Sequence, residues 1–135
     1  MRRTMSTVLA AAVLPLAASH AAPRLTPEAE LAKTLEGRTA GKPVNCISLN
    51  RVRGSRIIDD TAIVYDAGGT LYVNRPRSGA ESLDRWDTLV TRLHSNRLCS
   101  IDVVRLYDSS SRMETGFVLL GDFVPYRRDA AMRAD

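Results

Sequence analysis

The chain has 135 residues, 44% of them hydrophobic and 25% charged, with a formal net charge of +4. Without Arg2 and Arg3 near the amino terminus, the 19 Lys and Arg residues fall to 17, against 15 Asp and Glu. This near balance argues against a nucleic-acid-binding protein, and the length suits one domain with its own core. Fifteen of the 17 cations are arginine, which favours ion pairs or anion binding, although GC-rich coding produces the same bias.

The amino-terminal segment has the order of a secretory signal peptide. Arg2 and Arg3 supply positive charge, residues 8–18 form an apolar run, and Ser19 and Ala21 are small residues before the cleavage position. We therefore expect residues 1–21 to be removed and the mature protein to be periplasmic or extracellular. The apolar run is shorter than the ~20 residues that span a bilayer, so no membrane span is expected after cleavage.

The segment 22–43 is predicted to be a linker and a short helix. Thr26 provides a capping hydroxyl, Pro27 suits the first helical position, and Glu28 places a carboxylate in the first turn. Gly37 is expected to end the helix, and residues 37–43 are expected to form a flexible connection.

The segment 44–126 is predicted to be rich in β-strands. Runs at 61–65 and 70–73 surround Gly68-Gly69, which indicates a hairpin. Runs at 101–107 and 116–124 are joined by a polar turn, and the second has apolar residues on both sides, with Phe117 and Phe123 on the same one. Residues 83–93 fit two interpretations. The spacing of Leu83, Trp86, Leu89, Val90 and Leu93 is helical, whereas residues 88–93 also suit a strand, and we favour a turn followed by a strand.

Together these patterns predict a mainly β fold. We expect a small curled sheet or open barrel of about six strands, with one amino-terminal helix and a flexible tail at 127–135.

Cys46 and Cys99 are the only cysteines. In an oxidising compartment two cysteines of a small domain most often pair, and a catalytic thiol would need a neighbouring base. We expect a disulfide. By restricting the entropy of the unfolded chain, it should stabilise the fold by about 4 kcal/mol. Two free thiols remain the alternative.

Several stretches resemble a family of small exported bacterial proteins known as a domain of unknown function. They are Cys46-Ile47-Ser48, Asp59-Asp60-Thr61, Tyr72-Val73-Asn74-Arg75, Leu98-Cys99-Ser100-Ile101-Asp102 and Leu120-Gly121-Asp122-Phe123. The resemblance covers about residues 44–126 and implies a strand-rich fold with a shared disulfide, but no reaction. Some members of the family have a second cysteine pair, which this chain lacks. Its covalent cross-link should therefore be the Cys46–Cys99 disulfide alone.

Acidic residues and a histidine provide the candidates for catalysis. Asp59 and Asp60 are adjacent, so on a strand they would point to opposite faces. We expect them in a turn, capping amides or meeting nearby arginines. His94 is the only histidine after cleavage and is expected at the surface. A metal site is not expected, because zinc takes three or four such ligands, and no cofactor is predicted.

The arginines are the better candidates for binding. They are Arg51, Arg53, Arg56, Arg75 and Arg77. Such a patch suits a carboxylate, a phosphate or a glycan edge. The competing interpretation is a solvated face paired with neighbouring aspartates. Trp86, the sole tryptophan, is expected to pack in the core or half-buried rather than to serve as a ligand platform.

The sequence thus favours a non-catalytic envelope or secreted binding module whose partner is an envelope protein or an anionic ligand. A small periplasmic hydrolase using Asp59, Asp60 or His94 is the first alternative. The second is an inhibitor of a periplasmic enzyme, which should present a protruding loop at 76–82 or 108–113.

Cleavage after Ala21 is directly testable. When the full-length chain is expressed in a Gram-negative host, the periplasmic product should begin at Ala22, as read by intact-mass spectrometry and amino-terminal sequencing. An Ala21→Arg variant should accumulate uncleaved, because the site requires a small residue. A wild-type product that retains residues 1–21 would contradict the prediction.

Overall fold

The computed structural model describes residues 21–129, so that residues 1–20 of the predicted signal peptide and the predicted tail from 130 onward lie outside the described residues. The predicted mainly β fold with one helix is confirmed, and no sheet closes into a barrel. The strands within 21–129 number ten rather than about six, because several contain only three residues.

The elements in chain order are α1 (Pro27–Thr34), β1 (Arg38–Ala40), β2 (Cys46–Ser48), β3 (Gly54–Ile58), β4 (Ala62–Asp66), β5 (Thr70–Asn74), β6 (Asp87–Val90), β7 (Arg97–Cys99), β8 (Val103–Asp108), β9 (Glu114–Leu119) and β10 (Phe123–Arg128). Short 3-10 turns occur at Leu49–Arg51 and Ala80–Ser82.

Helix α1 begins as its sequence predicts. The Thr26 hydroxyl accepts a hydrogen bond from the Ala29 amide at 3.2 Å, and Pro27 is the first helical residue. The helix ends at Thr34, before Gly37, which has a positive φ of 71°. Leu31 is buried against the sheet below, so the short helix is held by packing as well as by its cap.

A five-stranded antiparallel sheet, the large sheet, has the order β1-β10-β5-β4-β3. The predicted hairpin around Gly68-Gly69 is confirmed as β4 and β5, and the Gly68 amide donates to the Asp66 carboxylate at 2.9 Å. At the edge of the large sheet formed by β1 and its neighbour β10, the expected flexible connection and the expected flexible tail were both wrong. Residues 38–40 of the predicted flexible connection form β1, and β10 extends to Arg128 in the predicted tail, because these two segments pair with each other.

Two smaller sheets lie on the other side of the core. Strands β2 and β7 form one, and the other has the order β6-β8-β9. The predicted single strand at 116–124 is divided at Leu120-Gly121-Asp122, where the chain passes from the three-stranded sheet to the large sheet. Phe117 is therefore 55% exposed whereas Phe123 is fully buried, contrary to the expectation that they share a side.

Two hydrophobic clusters result. The first fills the space between the large sheet and the two smaller sheets, and it includes Ile63, Tyr65, Leu98, Val104, Leu106 and Phe123. The second lies between the large sheet and α1, and it includes Leu31, Ile58, Ala62, Val64 and Val73. The fold thus has three layers, with one helix outside a two-layered β structure.

The predicted disulfide is present. Cys46 and Cys99 lie directly opposite each other on β2 and β7, with Cα atoms 4.0 Å apart. No cysteine among residues 21–129 is free. Such a bond is compatible with an oxidising, exported location.

A buried amide joins the two β layers where the chain crosses between them. Asn74 at the end of β5 is fully buried, and its Nδ2 donates to the Gly121 carbonyl at 2.7 Å. Its Oδ1 accepts from the Gly121 amide at 3.0 Å. A Cβ at Gly121 would come within 2.4 Å of the Arg75 carbonyl oxygen, so the close approach of the two backbones requires glycine.

Gly121→Ala should destabilise the protein by about 1–3 kcal/mol, because the added methyl group overpacks a rigid backbone contact. Gly69→Ala is the matched control, since a Cβ there meets no atom within 4 Å and its backbone φ is not in the left-handed region. Urea unfolding followed by far-UV circular dichroism measures both variants. Equal midpoints for the two would refute this role of Gly121.

Candidate functional site

Trp86 lies on a turn at the open edge of the three-stranded sheet and is 79% exposed. The expectation that it packs in the core was wrong. The preceding Asp84 organises the turn, since its carboxylate accepts from the Trp86 amide at 2.9 Å and its carbonyl accepts from the Asp87 amide at 3.0 Å. Aspartate favours such local turns because its side chain reaches the amide two residues on.

Arg85 ties this turn to two other elements. Its backbone amide and its Nε both donate to the Asp59 carboxylate, each at 2.7 Å. Its Nη2 donates to Glu30 of α1 at 3.0 Å. The hydrogen bond to Asp59, with the charge of that carboxylate, raises the pKa of Arg85, and Glu30 adds to the effect. We call Arg85, Asp59 and Glu30 the Arg85 clamp, which anchors the turn that carries Trp86.

The predicted setting of Asp59 and Asp60 in a turn is confirmed, since they join β3 to β4, and Asp60 has a φ of 53°. Asp59 caps a backbone amide, as expected, and that amide belongs to Arg85. Its arginine partner is also Arg85, 26 residues away in sequence, rather than the nearer Arg51, Arg53 or Arg56.

Three grooves adjoin Trp86. One of them, of about 460 Å³, has six carboxylates and no cation in its lining, namely those of Asp59, Asp60, Glu81, Asp84, Asp87 and Asp108. The other two contain cations. The first, the seam groove, has a volume of about 490 Å³ and lies between β3, which contributes residues 55–57, and residues 85–89 of β6 and its preceding turn. The second, the helix groove, measures about 1060 Å³ and lies between α1 and the turns that carry Asp60 and Trp86. Both are lined by Arg56 and by the Arg85 clamp residues Arg85 and Glu30.

The helix groove has a small positive charge. Its lining contains four cations, Arg24, Lys33, Arg56 and Arg85, and three carboxylates, Glu30, Asp59 and Asp60, which gives a net charge of +1. Arg85 is paired with Glu30 and Asp59, whereas the other three cations make no ion pair with any residue in 21–129. These three cations without an ion pair favour an anionic group in the helix groove.

The five arginines singled out from the sequence do not form one patch. Arg56 lines the seam and helix grooves, whereas Arg53 borders a separate groove with Leu93 and lies close to Gly68. Arg51 is exposed in the 3-10 turn before β3. Neither Arg51 nor Arg53 makes an ion pair within residues 21–129.

The other two arginines are engaged in structural contacts. Arg75 forms two hydrogen bonds with the Glu28 carboxylate, at 2.7 and 3.0 Å, at the start of α1. Arg77 donates to the carbonyls of Leu120 and Ser100, at 2.7 and 3.0 Å. Of the five, Arg56 is therefore the one that faces both the seam groove and the helix groove with an unpaired guanidinium.

The residues proposed for a hydrolase do not converge. His94 is exposed in the loop between β6 and β7, as predicted, and lines none of the grooves described here. Asp59 lies in the turn between β3 and β4, and its carboxylate accepts a hydrogen bond from Arg85. Within residues 21–129, no three His, Cys, Asp or Glu side chains are grouped as metal ligands.

The two loops proposed for an inhibitor differ. Residues 76–82 lie flat against β9, because the Arg77 amide donates to Leu119 at 2.8 Å and Ser78 bridges the same residue. The turn at 108–113 joins β8 to β9 and is exposed from Ser109 onward. Asp108 accepts from two amides in this turn, which lowers the pKa of its carboxyl group.

Comparison with models of known protein families, with curated proteins and with solved structures gives no match for this chain. The functional argument therefore depends on the site itself. None of the helices in the described range 21–129 has the length and apolar character to cross a membrane.

Asp59→Ala should release the turn that carries Trp86, because it removes two of the three hydrogen bonds of the Arg85 clamp. The steady-state fluorescence anisotropy of Trp86, the only tryptophan, should fall while the far-UV circular dichroism stays unchanged. Glu28→Ala is the matched control, since it removes another carboxylate paired with an arginine, and Glu28 lines none of the grooves beside Trp86. An anisotropy equal in all three proteins would show that the clamp does not hold the turn.

Proposed function

We propose that this protein is an exported, non-catalytic binding module that takes an anionic ligand between Trp86 and Arg56. The observation that carries the proposal is a tryptophan exposed over most of its surface, next to Arg85 with its three hydrogen bonds to carboxylates, and beside the Arg56 guanidinium, which has no partner in residues 21–129. Exposed aromatic residues and arginines are the side chains most enriched at binding sites.

Two features support the exported location. The amino-terminal sequence has the charged, apolar and small-residue order of a signal peptide. The Cys46–Cys99 disulfide is compatible with an oxidising compartment. The resemblance to small exported bacterial proteins of unknown function agrees with this location and adds no reaction.

The grooves are suited to binding in both size and rigidity. Volumes of about 490 and 1060 Å³ fall within or close to the range of roughly 300–1,000 Å³ that is usual for ligand sites. The Arg85 clamp anchors the turn that carries Trp86, which lowers the cost of ordering that turn on binding. Arg56 and Lys33 supply the attraction for an anion.

Binding can be followed through Trp86, since its fluorescence reports on this site alone. Three anionic probes serve, namely a hexaglutamate peptide, an oligogalacturonate and inorganic phosphate, each with a neutral counterpart or sodium chloride as control. At least one anionic probe should change the emission and bind more weakly as ionic strength rises.

Variants then locate the site. Arg56→Ala should weaken binding about tenfold, as expected when a charge-assisted hydrogen bond is lost. Trp86→Ala, measured by calorimetry, should weaken it similarly. Arg92→Ala is the matched control, because Arg92 is exposed and lines neither groove. The proposal fails if no anionic probe binds, or if all three variants bind alike.

A further inference from the structure

We propose that the ligand of this site is an extended, acidic segment of a partner protein, which adds as a strand to the free edge of β3 in the seam groove. The inference rests on the proposed function, because it names the ligand class for the same site. It is carried by the backbone of β3 and by the position of Arg56.

Strand β3 is one edge of the large sheet, and β6 is one edge of the three-stranded sheet. Both line the seam groove, β3 through residues 55–57 and β6 through Leu89 among others. The groove is therefore an opening between the edge strand of the large sheet and the edge strand of the three-stranded sheet.

The register shows which backbone groups of β3 face this opening. The Ala67 amide bonds the Thr70 carbonyl, and alternate residues of a strand bond to opposite neighbours, so Ile63 and Tyr65 bond to β5. The intervening residues of β4 consequently bond to Gly54, Arg56 and Ile58 of β3. Ser55 and Ile57 therefore direct their amides and carbonyls away from β4.

These four groups, two donors and two acceptors, form a short template for a further strand. They make no hydrogen bond with residues in 21–129 outside the β3–β4 ladder. An edge of this kind pairs readily with another chain unless it is covered, and extended peptides use such edges for recognition. Here β6 forms the opposite wall of the groove, so a segment added to β3 would lie between two strands rather than begin an open-ended stack of sheets.

The seam groove has no net charge, because its cations Arg56 and Arg85 are matched in number by Glu30 and Asp87. Within the described range Arg56 is the cation of this groove that makes no ion pair, and it lies on the face of β3 that bears Ile58, next to the helix groove. A strand added beside β3 would place a side chain next to Arg56, where an opposite charge is favourable. Glutamate or aspartate at that position is therefore preferred, with Trp86 available to cover an apolar neighbour.

The test uses the full mature protein and a synthetic heptapeptide, Thr-Val-Thr-Glu-Thr-Val-Thr with blocked ends. Two analogues accompany it, one with Lys at the centre and one with N-methyl groups on alternate residues. The parent should bind at least tenfold more tightly than either analogue. Hydrogen exchange of the Ser55 and Ile57 amides, followed by NMR, should slow on binding, whereas exchange of the Gly69 amide should not.

Two variants test the protein side. Ser55→Pro removes one outward donor without touching the ladder to β4, and should weaken binding roughly three- to tenfold, whereas Ser55→Ala should not. Arg56→Glu should reverse the preference, so that the Lys peptide binds more tightly than the Glu peptide. The Arg56→Glu variant tests the proposal independently, even if the Ser55→Pro variant does not fold.

The outcomes separate this inference from the proposed function. If oligogalacturonate binds through Trp86 and Arg56 but the heptapeptide does not, strand addition is wrong and the binding module stands. The same holds if the N-methylated peptide binds as well as its parent, because side chains alone would then hold it. If no anionic probe binds, both proposals fail.

Discussion

The buried Asn74–Gly121 pair is the contact on which the two β layers depend. One side-chain amide satisfies both backbone groups of the residue at which the chain leaves the three-stranded sheet and enters the large sheet. In a low-dielectric interior an unpaired amide would be costly, so the pair requires this one crossing geometry. Phe123 and Leu120, on either side of Gly121, are then both fully buried in the core.

The same crossing sets the location of the candidate site. Because β10 joins β5 within the large sheet, β3 is left at its far edge, and because β8 lies between β6 and β9, β6 is left at an edge as well. Two unpaired edges thus border the seam groove. The Arg85 clamp connects three separate elements across this opening, and Trp86 is presented where they meet.

The parts of the fold that the sequence predicted are those governed by neighbouring residues. The Thr26 cap with Pro27 and the hairpin at Gly68-Gly69 depend on local backbone preferences, and both are present. Strand β1 was missed because three residues without a large apolar side chain, Arg38, Thr39 and Ala40, become ordered only by pairing with β10, some 88 residues later. Trp86 was misplaced because the spacing of Leu83, Trp86 and Leu89 suggests a shared apolar side, whereas the Asp84 turn directs the indole outward.

Among the candidate binding residues, composition identified Arg56 but could not separate it from its neighbours. Its distinction comes from what the other arginines contact, namely the Glu28 carboxylate for Arg75 and two carbonyls for Arg77. Arg85 was not singled out at all, although its neighbours Asp84 and Asp87 mark a turn. Its link to Asp59 spans 26 residues, a relation that no local pattern encodes.

The place of β10 in the large sheet has a consequence for the order of folding. This strand is the last one among residues 21–129, yet it lies between β1 and β5, near the beginning and the middle of that range. The sheet is therefore interrupted until residue 128 has been synthesised, and its contacts close long loops, which slows folding. Until β10 has been made, β1 therefore has no strand to pair with, and β3, β4 and β5 are the part of the large sheet whose strands can already pair.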